Sequence, residues 1–262
     1  MQLPVSLQTL VNVVREASDL MITDHFDIAS KGGYSNIVTT SDLAVQKFLY
    51  EKLSAILPES GFYCEEEDLM IKDREYTWVI DPIDGTANYS RGIPNCAISV
   101  ALVKDNEALL GVVYSPAAGE LFTAEKGKGA YFNGKRITVS ERPFANSLFC
   151  TTFSLYRRQY ADFCIKYIKE VYSRCNDFRR FGVASLEICY VAMGRCDLYF
   201  EYRLSPWDYA GASLVLLEAG GCLRGESGDT LTYDKDSMVF AANNEENMEI
   251  LLDIFHKVKS EC

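Results

Sequence analysis

Histidine is nearly missing from this chain of 262 residues: His25 and His256 are the only two, and both fall in predicted helices near a terminus. Catalysis by an imidazole triad or dyad therefore has almost nothing to draw on. CxxC pairs are missing as well. The nine cysteines (Cys64, Cys96, Cys150, Cys164, Cys175, Cys189, Cys196, Cys222 and Cys262) are odd in number, and several sit in apolar runs such as SLEICYVAMG at 185–194. That usage reads as buried free thiols in a reducing compartment, not as zinc ligands or a disulfide framework. No apolar run approaches the ~18–20 residues that cross a bilayer. The opening MQLPVSLQTLVNVVREASDL carries Arg15, Glu16 and Asp19 where a signal peptide would be apolar. A cytoplasmic protein with no membrane partner is expected. Positive charge is in deficit, with 26 Lys+Arg against 37 Asp+Glu and a net charge of −11. A nucleic-acid partner is not expected, because phosphate backbones are met by clustered cations.

What is present is ordinary globular composition, with 48% hydrophobic and 24% charged residues. Apolar periodicity predicts helices over 5–27 and 42–56, with a turn-rich connector at 31–36. β-rich segments follow at 61–64, 76–81, 96–103, 107–115, 120–125 and 129–140, the last folded at Asn133-Gly134 as a hairpin. Beyond about residue 145 the pattern alternates. Helices are predicted at 157–173, 184–193, 208–219 and 244–258, and strands at 177–181, 197–202 and 237–242. The reading is an α+β half over 1–145 and an α/β half over 146–262.

Two motif matches fail on chemistry. Gly129 to Lys135 fits GxxxxGK, but Arg136 stands where the phosphate loop needs Ser or Thr, and the segment is a hairpin. An EF-hand loop begun at Asp81 would place Ile83, Gly85 and Gly92 at ligand positions. What remains is WVIDPIDGTANY, 78–89. Its strand is predicted to end at Asp81, with Pro82 bending the chain and Asp84 returning to the same point. Gly85 admits close approach of a ligand, and Thr86 adds a hydroxyl where a short helix could begin. Two further acidic segments border apolar elements: Cys64-Glu65-Glu66-Glu67-Asp68 after a strand, and Asp208 before the helix YAGASLVLLEAG. The simplest reading makes each an Asp-rich turn, a solvated loop or an N-cap. Taken together they are hard oxygen donors without His or Cys, a set that selects magnesium, manganese or calcium.

These segments resemble the inositol monophosphatase family of lithium-sensitive, magnesium-dependent sugar phosphatases. The resemblance is carried by Trp78 to Thr86 with Asn88-Tyr89 and Gly92-x-Pro94, and by Cys64-Glu65-Glu66 in place of Gly-Glu-Glu. It continues in Trp207-Asp208-Tyr-Ala210-Gly211 with Glu218-Ala219-Gly220-Gly221, and in Lys31 with Val38-Thr39-Thr40-Ser41-Asp42. It implies a layered α/β/α/β/α sandwich, usually a homodimer, acting on a small-molecule phosphate ester. Glu66, Asp81 and the Ile83 carbonyl would hold one Mg²⁺, and Asp81, Asp84 and Asp208 a second. A third ion would sit on Glu66 and waters, with Mn²⁺ a possible substitute. Glu66 aligns best, although a slipped register would bring in Glu65 or Glu67. Thr86 and Asp42 would orient the attacking water and take its proton, with Glu66 completing the catalytic set. Ile83, Asp84, Gly85, Thr86, Ala184, Glu201 and Asp208 would contact substrate, with Lys31 accessory. Val183-Ala184-Ser185 departs from the family's more polar turn and bears on the substrate. Inositol monophosphate is the first substrate implied. Fructose 1,6-bisphosphate, a nucleotide 3′-phosphate such as 3′-phosphoadenosine, or the 2′-phosphate of NADP are the alternatives. A non-catalytic binding protein on this scaffold would be expected to lack a metal acid or Thr86, and none is missing.

Overall fold

The computed structural model describes residues 3–22, 26–32, 36–66, 69–71, 73–152 and 158–261, with backbone alone at 31, 32 and 36. His25, Glu67 and the Lys31 side chain thus lie outside the described residues. Helix α1 (Leu7–Ser18) begins at Ser6, whose hydroxyl accepts the Thr9 N–H. It stops well short of residue 27: the Ser18 hydroxyl turns back onto the Arg15 carbonyl at 2.7 Å, and Asp19–Met21 tightens into a 3₁₀ turn. The predicted connector at 31–36 is flanked and overlapped at its ends by an antiparallel pair, β1 (Ile28–Gly32) with β2 (Asn36–Thr39), and residues 33–35 lie outside the described residues. Helix α2 (Thr40–Ile56) follows, opened by a reciprocal capping box between Thr39 and Asp42.

The next strands are β3 (Gly61–Cys64), β4 (Met70–Ile71) and β5 (Thr77–Asp84). After the one-turn helix α3 (Thr86–Tyr89) come β6 (Ala97–Lys104), β7 (Glu107–Ser115), β8 (Glu120–Glu125), β9 (Gly129–Phe132) and β10 (Lys135–Ile137). They form one eight-stranded sheet in the order β10-β9-β8-β7-β6-β5-β3-β4. The β3–β5 pair is parallel and every other neighbour antiparallel.

The second half contains β11 (Leu148–Thr151), α4 (Ala161–Tyr172), β12 (Asp177–Arg179), α5 (Ala184–Ala192) and β13 (Leu198–Leu204). It is completed by α6 (Pro206–Glu218), β14 (Cys222–Arg224), β15 (Ser237–Ala242) and α7 (Glu245–Ser260). Its five-stranded sheet runs β12-β11-β13-β15-β14. Strands β11 and β14 carry no clear sequence signal. Both are short, and β11 buries Phe149 on one face and Cys150 on the other, so apolar–polar alternation is absent.

Strand periodicity sorts the large sheet into two apolar faces. Trp78, Ile80, Val100 and Leu102 pack under Leu10 and Val14 of α1 and Val45 and Leu49 of α2. Val79, Ala101 and Val113 face the other way, against Leu186 of α5 and Val215 of α6, which also meet Tyr199 and Val239 of the second sheet. The outer face of that sheet, Phe149, Phe200 and Phe240, is covered by Tyr167 of α4 and Phe255 of α7. The result is an α/β/α/β/α sandwich, as the sequence resemblance implies. Helix α6 lies so close to β7 that a side-chain carbon on Gly111 would meet the Gly211 carbonyl at 2.5 Å. Among the described residues, no helix is long and apolar enough to cross a membrane.

Candidate active site

The acids converge where β3 and β5 of the large sheet end opposite the first turns of α5 and α6. Strand β5 does not stop at Asp81. It runs on to Asp84 through a bulge, with Asp81 opposite Ser99 and Asp84 opposite Ala97 on β6. Pro82 occupies the irregular stretch, where its missing donor costs no ladder bond. The bulge turns both carboxylates toward one cavity, and the Asp81 Oδ1 accepts the Ile83 N–H at 3.0 Å. Gly85 follows with φ +89°, and a side-chain carbon there would meet Val183 at 2.8 Å. A glycine is required on both counts.

Thr86 opens α3. Its hydroxyl lies 3.2 Å from Asp42 Oδ1 and 3.0 Å from the Ile83 carbonyl, and its single proton can go to only one of them at a time. Asp42 is fully buried and keeps its other oxygen in the α2 capping box. Burial raises its pKa above the usual carboxylate range, while its Thr39 contacts pull the other way.

The other half of the molecule supplies the facing wall. Asp208 is the third residue of α6, not its N-cap: Pro206 takes the first helical position, and Oδ2 of Asp208 accepts the Ser205 N–H at 2.8 Å. Asp84 Oδ2 accepts both the N–H and the hydroxyl of Ser185, at 2.7 and 2.6 Å. Even so, burial pushes the Asp84 carboxyl up to about 6. Asp81 and Asp208 are also driven well above the ordinary range, first by burial and then by the negative charge of Glu65 and Asp84, with Asp208 adding to the rise at Asp81 and Glu201 to that at Asp208. Such mutual repulsion is what a cation or a shared proton relieves.

The cavity is about 310 Å³, and it is lined by Asp81, Ile83, Asp84, Gly85 and Thr86 on one side and by Ala184, Glu201 and Asp208 on the other. These expected residues share one cavity, which Asp42 meets through the Thr86 hydroxyl, while the Lys31 side chain lies outside the described residues; one position is corrected. Glu65, not Glu66, lines the cavity. Glu66 is buried behind it, its N–H donating to Gln46 Oε1 and its carbonyl accepting from Gln46 Nε2. Adjacent residues leaving a strand point to opposite sides, so one position of register exchanges cavity for core. Sequence reasoning named Ser185 only as part of a turn near the substrate, without its bond to Asp84, and passed over Glu187 and the ion pair of Arg203 with Asp236, all at or beside the cavity. For Glu187 a signal existed: an acid in the middle of the apolar helix ASLEICYVA.

Residues 5–260 match the inositol monophosphatase family. A Thermotoga maritima protein named fructose-1,6-bisphosphatase/inositol-1-monophosphatase is 36% identical over 215 residues, covering 82% of this chain and 81% of that one. Nus factor SuhB of Escherichia coli K12 is 36% identical over 221 residues, covering 82% and 83%. Among solved structures, the extragenic suppressor protein suhB of Bartonella henselae superposes with a TM-score of 0.87 at 30% identity, covering 98% of this chain and 99% of that one. This chain belongs to the inositol monophosphatase family. Membership supports a phosphatase acting on small phosphate esters, in a family that is generally metal-dependent.

Proposed function

We propose that this chain is a Mg²⁺-dependent phosphomonoesterase that hydrolyses inositol monophosphate or a related small sugar phosphate. The observation that carries this reading is the ring of Glu65, Asp81, Asp84 and Asp208 on one cavity, with the Thr86–Asp42 pair at its edge. The two halves, 1–145 and 146–262, would each supply one wall.

The donor set fits such an ion. Its members are carboxylates and a backbone carbonyl, hard oxygens with no competing His or thiolate, and burial followed by neighbouring negative charge raises the pKa of Asp81 and Asp208. Among the described residues no three acids are already gathered closely enough to cage an ion. Mg²⁺ does not demand that, since it keeps several waters and takes one or two carboxylates plus phosphate oxygens. Glu65, Asp81, Asp84, Asp208 and the Ile83 carbonyl would hold it. Once bound, the ion acidifies water and offsets phosphate charge.

The remaining work belongs to the chain's own groups. The Thr86 hydroxyl, held between Asp42 and the Ile83 carbonyl, orients the attacking water, and Asp42 is the acceptor to which its proton passes. Gly85, whose side-chain position is filled by Val183, presents its backbone at the cavity for the phosphate to reach. Glu201, buried on β13 and lining the cavity, accepts hydroxyl protons of a polyol. The name of the Thermotoga relative favours fructose 1,6-bisphosphate as a second substrate, since the same ring of acids would serve either ester.

Two measurements test this reading. Phosphate release should vanish in excess EDTA, return with Mg²⁺ and in part with Mn²⁺, and be inhibited by Ca²⁺, whose longer and looser coordination suits the site poorly. Full turnover in EDTA would reject the metal-dependent reading. Glu201→Gln should lower kcat/KM for inositol monophosphate about tenfold or more, the scale of a charged hydrogen bond at ~1.5–3 kcal/mol. Hydrolysis of an aryl phosphate without hydroxyls should barely change. Equal losses on both would remove Glu201 as the reader of the polyol.

A further inference from the structure

Glu187, on the first turn of α5, is 1% exposed and borders the cavity without being one of its metal-type acids. Its Oε1 accepts two backbone donors, the Phe181 N–H at 2.7 Å and the Gly182 N–H at 2.8 Å. The same peptide is held from its other face. The Phe181 carbonyl accepts Nδ2 of Asn88 at 2.9 Å and Nδ2 of Asn95 at 3.0 Å, both from the segment that follows Thr86. The Phe181–Gly182 peptide is thus clasped between the two halves of the molecule.

Gly182 takes φ +76°, and Val183, directly after it, packs on Gly85. Ala184 then lines the cavity, and Ser185 reaches Asp84. Oε2 of Glu187 is sealed from solvent and makes no hydrogen bond. A buried carboxyl with one idle oxygen is costly to keep, and an apolar residue would fill the volume without that cost. Burial pushes the carboxyl up to about 8 despite the two N–H donors, with Asp84 adding to the rise and Arg180 opposing it. Nothing in helix packing calls for an acid here, whereas the doubly donating peptide does.

We propose that Glu187 is a positioning residue that, by clasping the Phe181–Gly182 peptide against Asn88 and Asn95, sets the Val183–Ala184 wall facing the non-phosphate part of the substrate. This rests on the phosphatase reading above. It adds to that reading a determinant of which alcohol the site accepts. On that reading the phosphate would sit on the acids and Thr86 and leave Ala184 to face the alcohol, so displacement of the wall should weaken recognition of a bulky polyol more than it slows the reaction.

The test compares Glu187→Ala, Glu187→Gln and wild type on inositol monophosphate and p-nitrophenyl phosphate, with hydrogen exchange at the Phe181 and Gly182 amides as a readout independent of activity. Glu187→Ala should raise KM for inositol monophosphate about tenfold with kcat within about threefold, and change aryl phosphate hydrolysis about twofold at most. Both amides should lose protection. Glu187→Gln should keep wild-type KM and protection, because its amide oxygen accepts the same two donors. If Glu187→Ala does not fold, Asn88→Ala loosens the same peptide from its carbonyl side and should give the same KM signature. Equal losses on the two esters, an unchanged KM despite lost protection, or a Gln variant as impaired as the Ala variant would each overturn the proposal. A wild-type protein inert toward both esters would overturn the phosphatase reading itself, an outcome separable from these because it precedes any variant.

Discussion

Asp81→Asn is expected to abolish turnover while raising the melting temperature of the metal-free protein. The two effects share one cause. Asp81 is fully buried, and its pKa is driven up by burial and by Glu65, Asp84 and Asp208. An acid whose folded pKa exceeds its unfolded value subtracts stability as pH rises above the ordinary carboxylate range, up to the raised value. Asparagine removes that charge, yet its Oδ1 can still accept the Ile83 N–H that shapes the bulge. The melting-temperature gain should therefore be small at acid pH and widen toward neutrality. The family resemblance implies that Asp81 would serve two ion positions, so its loss should be catalytically severe. Calorimetry of metal-free protein across pH, beside phosphate release with Mg²⁺, checks both halves. Activity within about tenfold of wild type, a ~1.4 kcal/mol effect, would reject the shared role, and a lower melting temperature at neutral pH would reject the electrostatic account.

Thr86→Ala should lower kcat by roughly 10²–10⁴, the span for a proton-transfer group, with KM nearly unchanged. The hydroxyl sits between Asp42 and the Ile83 carbonyl and acts on the water, so its contribution is felt in the transition state and not in substrate binding. Thr86→Ser retains the hydroxyl and should recover most of the rate. Replacing Asp42 would be the less clean test, because Asp42 also closes the α2 capping box, and losing a cap costs about 0.5–2 kcal/mol of stability. Stopped single-turnover assays separate chemistry from binding. A change confined to KM would mean that Thr86 only binds the ester.

Much of the site was legible because it is local. Asp81, Ile83, Asp84, Gly85 and Thr86 are consecutive or nearly so, and Pro82 and Gly85 within that run mark a bend and a close approach, although the continuation of β5 through a bulge to Asp84 was not legible. Asp208 was visible as an acid at the start of an apolar helix, although the helix begins at Pro206, two residues earlier than the sequence predicts, so that Asp208 lies inside it and not at its cap. The layered fold was legible from the change of pattern near residue 145, and in particular from the resemblance to a family. The first helix was overextended because apolar spacing continues past Ser18 while the backbone does not.

The sequence by itself determined which residues could do chemistry: three aspartates and a threonine at element edges, almost no histidine, and no thiol pairs of ligand spacing. Only the tertiary structure shows which of Glu65 and Glu66 lines the same cavity. Alignment by motif pointed to Glu66. Gln46, twenty residues away on α2, clasps the Glu66 peptide through both its N–H and its carbonyl, and Glu65 is the one that lines the cavity. The bond from Ser185 to Asp84, across 101 residues, and the clasp of Glu187 on a peptide held from Asn88 were hidden for the same reason. Periodicity constrains which way a side chain points along its own element, but the partner that selects one register, or orients one carboxylate oxygen, is brought there only by packing the two sheets together.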